Sequence, residues 1–132
     1  MDDMFGSRFK EYQNSARLSE SMASIHANLY KSISWVNANY DAKKIEELVN
    51  QQKAELNRNI DTLQKNLKSN TSLKDEEKKV YQETLNQLLE YQTQAVGLMD
   101  MVQTDVNAAI MFMSTADDKH VVLSKTLESL QK

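Results

Sequence analysis

From Val106 to Leu130 the chain repeats core-type residues at steps of three and four without a slip: Val106, Ala109, Met113, Ala116, His120, Leu123, Leu127 and Leu130. A stripe with that period keeps one face of a helix turned toward partners along its whole length, so this segment must lie lengthwise along other helices. All of these positions but one are apolar or small. His120 is the exception, set where a buried side chain belongs.

Looser stripes of the same period fill the rest of the chain. Phe5, Phe9, Tyr12 and Ala16, followed by Met22, Ile25, Leu29, Ile33 and Val36, predict one long helix over 7–39, weakened in the middle by Arg17 and Ser19. Ile45, Leu48, Val49, Leu56, Ile60, Leu63 and Leu67 predict a second over 42–68, with Gln52 in a core row where an aliphatic is expected. Val80, Tyr81, Leu85, Leu88, Ala95, Leu98, Met99 and Val102 predict a third over 73–103, interrupted by Tyr91 and Gln92. The fourth is the opening seam, extended to 105–131. Between them lie short breaks: Asn39 to Asp41 with Asp41 as N-cap, Ser69 to Ser72 with Ser72 and Asp75 resembling a capping box, and Gln103 to Asp105 with Thr104 or Asp105 as N-cap.

Two glycines and no proline leave too few turn formers for a sheet with several hairpins, so the class is all-α. The expected architecture is an antiparallel up-and-down four-helix bundle with a long first helix, one domain over 1–132. Nineteen acids against sixteen Lys and Arg, with no basic run to track phosphates, argue against nucleic acid as a partner. The lack of cysteine removes disulfides, thiol catalysis and thiolate metal sites together. No apolar run approaches the roughly 18 to 20 residues that span a bilayer, and no signal peptide is present. The chain opens directly with Met1, Asp2, Asp3 and Met4 and closes on a helical seam at Leu130 without a glycine or asparagine stop, so both ends are expected to be cuts from a longer protein.

In such a bundle the turns near Tyr40 and Thr104 share one end, and depth can be counted from it at about 1.5 Å per residue. Trp35 then lies about one turn in, Tyr30, Gln52, Tyr91 and Gln92 lie roughly 15 Å in, and His26 and His120 a turn or so deeper. Helices two to four span roughly 40 Å each, so the first dozen residues are expected to overhang the far end. A buried polar group without a partner costs about 1–3 kcal/mol, so this layer must be satisfied by mutual bonds, water or a ligand. Tyr30, Trp35, Gln52, Tyr91, His120 and His26 are therefore the candidate ligand-binding residues. Each also has a plainer role: a core amide can set register, a histidine can be satisfied within the core, and Trp35 can plug the bundle end.

Other chemistries find few residues. Asp117-x-x-His120 has no second copy with which to build a di-iron site, and no metal site is expected. Two histidines at similar depth on helices one and four are the residue types that ligate haem in bundle cytochromes, but no attachment motif accompanies them, and the expectation is no cofactor. No phosphate loop, nucleophile elbow or Ser-His-Asp set occurs, so an enzyme is not expected.

Ile25, Leu29, Tyr30, Lys31, Ser32, Ile33 and Trp35, the short turn at Asn39 to Asp41, and Asp105, Ala108, Ala109 and Met113 opening helix four together resemble the extracytoplasmic four-helix-bundle sensor domain of bacterial methyl-accepting chemotaxis proteins. The resemblance covers nearly the whole chain and carries no invariant signature. It implies a homodimer whose first and last helices continue into the inner membrane, a periplasmic location, and a small molecule bound in the membrane-distal part of the bundle. Some members hold carboxylate ligands through helix-one arginines; Arg8 and Arg17 lie too far from the shared end for that, leaving Lys31 or a protonated histidine to supply charge. A sensor domain of a histidine kinase, or a helical adaptor without a ligand, shares the same outline.

Overall fold

The computed structural model describes residues 3–69 and 74–130, with side chains from residue 13 onward. Four helices make up the fold: α1 (Asp3–Asn37), α2 (Ala42–Ser69), α3 (Asp75–Met101) and α4 (Val106–Leu130). Each helix packs against its sequence neighbour and α1 closes the square against α4, while α1 and α3 touch across the diagonal, so the architecture is an up-and-down bundle. No strand occurs among the described residues.

The seams supply the core. On α4, Ala109, Met113, Ala116, Leu123 and Leu127 are buried, and His120 is half-buried among them. Met22, Ile25, Leu29 and Ile33 of α1 meet Ile45, Val49, Leu56, Ile60 and Leu63 of α2 and the Leu85, Leu88, Ala95 and Leu98 row of α3. Fully burying one such aliphatic is worth about 1.5–3 kcal/mol, against about 1 kcal/mol for a typical hydrogen bond. Packing along the seams therefore holds the bundle together, and polar contacts decide its details.

The two described turns are built from short polar side chains. Asn39 takes φ 56°, the left-handed conformation that asparagine tolerates better than most residues. The amide of Asn39 then donates to Val36 O at 3.1 Å and that of Tyr40 to Trp35 O at 2.9 Å, closing α1 with a Schellman pair of bonds. The Trp35 and Tyr40 rings, 4.6 Å apart, provide the accompanying hydrophobic contact. Asp41 starts α2 by accepting from the Lys43 amide at 2.9 Å, and Asp105 starts α4 by accepting from the Ala108 amide at 3.1 Å. Thr104 is thereby set aside as the cap of α4.

Helix α3 opens on Lys74, which makes no side-chain capping bond, so its first turn rests on Asp75, Glu76 and Glu77 at the positive end of the dipole. It ends at Met101, two residues short of the expected 103, because Thr104 and Asp105 both donate back to Met101 O. The expected capping box at Ser72 lies outside the described residues. The expected overhang concerns the first dozen residues, whose side chains also lie outside them.

Helices α3 and α4 make the most extensive pairing in the bundle, and Gly97 permits part of it. A Cβ at that position would stand 2.6 Å from Phe112 Cε1 and inside contact distance of two more ring atoms. Gly97→Ala is expected to cost stability, because overpacking of about 1–3 kcal/mol exceeds the gain of about 0.8–1 kcal/mol from alanine in a helix. In a Phe112→Ala background the same change should stabilise. Urea unfolding of the four variants, followed by circular dichroism, reads the reversal of sign.

Candidate functional site

Polar side chains from α1, α3 and α4 meet at mid-depth. His26 and Tyr30 stand one turn apart on α1, and both address Asp117 of α4: His26 Nε2 lies 2.6 Å from Oδ1, and the Tyr30 hydroxyl donates to Oδ2. An ionised carboxylate only accepts, so the proton of a neutral His26 ring belongs on Nε2. Nδ1 is then the acceptor for the Tyr91 hydroxyl, 2.8 Å away. Tyr91 reaches this point from α3 with its side chain fully buried. His120 completes the group by stacking on His26, ring centroids 4.3 Å apart and planes within 2° of parallel.

Electrostatics follow from that geometry. Burial, then the charge of Asp117, pushes the Tyr91 hydroxyl well above its ordinary range, so it stays a donor at any physiological pH. Tyr30 is 46% exposed, and the hydrogen bond to Asp117, more than burial, raises it to about 12. His120 is lowered from its ordinary value, first by burial and next by the neighbouring His26, with Asp117 opposing both. Proton chemistry on an outside molecule is poorly served here, since the Tyr91 hydroxyl is enclosed and already committed to His26.

Four of the six candidate residues, His26, Tyr30, Tyr91 and His120, are thus brought together. Trp35 is not among them; it packs at a tilt against Tyr40 at the bundle end with Lys31 Nζ 4.7 Å above its ring. Gln52 is not among them either, and neither is Gln92, which donates to Asn57 across α2 and α3 at 2.9 Å. Asp117, which joins the two histidine-bearing helices, is the residue that sequence reasoning missed as a partner. Its signal was the three-residue spacing to His120, which sets both on adjoining turns of α4.

Gln52 belongs to a second feature, a cleft of about 760 Å³ between α1 and α2. Ser21, Ile25 and Asn28 of α1 face Gln52, Glu55 and Asn59 of α2 along it, and Leu127 and Leu130 of α4 reach its far end. Part of its lining is internally satisfied: Ser21 donates to Glu55 at 3.2 Å, Asn59 donates to Ser21 at 2.8 Å, and Arg58 pairs with Glu55 at 2.5 Å. Helix α1 therefore has two employments, one face in the cleft and another bonded to α4. Among the described residues no cluster of three or more His, Asp or Glu is arranged to hold a metal, and no helix is long and apolar enough to cross a membrane.

Compared with protein-family models, with curated proteins and with solved structures, the chain matches none.

Two measurements test the network. Tyr91→Phe keeps the packing but removes the donor to His26, and is expected to cost about 1–2 kcal/mol by chemical unfolding at neutral pH. For His120 the folded-state value lies below the ordinary 6.5, so the unfolded chain takes up the proton first as pH falls. Its contribution to stability is complete above 6.5 and is lost as pH drops through the folded-state value. His120→Leu should flatten the decline in unfolding midpoint between about pH 7.5 and about pH 5.5.

Proposed function

We propose that this chain is the extracytoplasmic ligand-sensing domain of a transmembrane chemoreceptor. It binds a small molecule without transforming it and passes a displacement of the last helix against the first to a cytoplasmic kinase-control region. One observation carries the reading: α1 is shared between a ligand-sized cleft on its α2 side and a polar lock on its α4 side. A ligand that shifts or tilts α1 in the cleft must change the energy of its bonds to Asp117, and α4 is then displaced in response. A ligand moves this balance only by binding one arrangement better than the other, and a difference of about 1.4 kcal/mol is tenfold in the equilibrium. Hydrogen bonds to a charged group, the kind that join α1 to α4 at Asp117, are of about that size.

The same reading places the domain in the periplasm, anchored through flanking helices continuous with α1 and α4, and so puts the cleft, which runs from mid-bundle to Leu130, in the membrane-facing half and not in the membrane-distal part that the resemblance implies. It pairs two copies into a homodimer and calls for no cofactor, metal or nucleic acid. Two pairs of exposed apolar residues on α4, Ile110 with Met111 and Val121 with Val122, support the dimer. They are about three turns apart and so share a face. The resemblance in Tyr30 to Trp35 and in Ala108 to Met113 favours a chemoreceptor over a histidine-kinase sensor or a ligand-free adaptor.

Grafting residues 1–132 between the transmembrane helices of a chemoreceptor and assaying kinase output in membranes tests this. Asp117→Ala, which frees α1 from α4, is expected to shift the baseline kinase activity several-fold. Gln52→Leu should leave the baseline near wild type and weaken responses to compounds found by thermal-shift screening. A wild-type baseline in Asp117→Ala, with responses intact in Gln52→Leu, overturns the relay.

A further inference from the structure

Among the described residues, Ser15, Ser32, Gln52 and Thr84 are the buried polar side chains. Ser32 donates to Leu29 O at 2.6 Å and Thr84 to Val80 O at 2.7 Å, so each hydroxyl is satisfied by its own helix. Gln52 differs. Its residue is 7% exposed, it lines the cleft between α1 and α2, and its amide forms no hydrogen bond to any described residue. A carboxamide offers two donors and an oxygen acceptor, and those of Gln52, neither bonded nor fully enclosed, open into the cleft. Beside it, Ser21, Glu55, Arg58 and Asn59 are bonded to one another.

The rest of the lining states what kind of molecule would meet that amide. Arg17 and Arg58 are matched in number by Glu20 and Glu55, so the cleft offers no net charge to an ion. Desolvating an unmatched charge there would cost more than a neutral hydrogen bond returns. Ile25, Leu63, Leu127 and Leu130 supply apolar wall, and a volume of about 760 Å³ falls within the usual span for small-molecule sites.

We infer that the cleft between α1 and α2 binds a neutral molecule with a carboxamide-, carbonyl- or alcohol-type polar end, which bonds Gln52, and an apolar body lying along Ile25 and Leu63. This rests on the sensor reading for its biological meaning but not for its test. Binding to the free domain is measured here, so an empty cleft would leave a responding chimaeric receptor unexplained and not disproved.

The probes are benzamide, benzoate and benzylamine, one ring carrying a neutral, an anionic and a cationic end. Titrated into the 132-residue chain and followed by nitrogen–proton correlation NMR, benzamide should shift the Gln52 side-chain amide and backbone signals of α1 and α2 facing the cleft. Benzoate and benzylamine should bind about tenfold more weakly or worse. Gln52→Leu, which places an apolar side chain in an apolar row and so keeps the fold, should lose the preference for benzamide. Gln52→Glu should move the preference to benzylamine. Absence of shifts at the cleft, equal binding of the three probes, or an unchanged preference in Gln52→Leu overturns the inference.

Discussion

An ionised carboxylate can only accept hydrogen bonds, and the donors that Asp117 meets stand on another helix. Asp117 finds both on one: the imidazole of His26 and the hydroxyl of Tyr30, a turn apart on α1. The other polar placements in this layer follow. With the Asp117 side of His26 fixed as donor, its opposite nitrogen must accept, and Tyr91 is drawn in from α3 although burial of its hydroxyl is otherwise unfavourable. His120 then has the flat face of His26 left to cover. Three helices are oriented by one acceptor.

Much of the architecture could be read directly from residue spacing. The α4 seam, the caps at Asp41 and Asp105, and the turn at Asn39 are all local properties, decided by the period of a helix and by which short side chains can satisfy free amides. Depth was legible as well, since helical rise is constant, and it put His26, His120, Tyr30 and Tyr91 near one level. Azimuth was not. Rise alone leaves open which way a side chain faces around a helix that is contacted on several sides. That is why Gln52 looked like a neighbour of Tyr91 when it faces the α1 side of α2. Asp117 was overlooked for a related reason: a carboxylate beside a core seam reads as a solvated neighbour until the opposing helix is rotated into place. Trp35 could be placed at the bundle end, but its contact with Tyr40 depends on the left-handed turn at Asn39.

The bundle is also uneven. On one side α3 and α4 approach closely, helped by Ala95, Gly97, Ala109 and Ala116, with Phe112 lying over the glycine. On the other, α1 and α2 part around a cleft edged with amides and hydroxyls. A close-packed interface transmits force with little give, whereas a partly open one can rearrange at small cost. The asymmetry makes α3 and α4 the closely joined pair and leaves the seam between α1 and α2 the looser one.

The stacked imidazoles of His26 and His120 add a mechanical property to the bundle. Interlocked side chains resist every direction of relative motion, because a knob must climb out of its hole. Two parallel rings at 4.3 Å present smooth faces, with no atom of one projecting into the other. Separating them exposes both faces to water, but sliding one across the other changes the contact only gradually. The stacked rings thus behave as a bearing, firm against being pulled open and lenient toward shear, and resistance to sliding at this level falls to the bonds on Asp117.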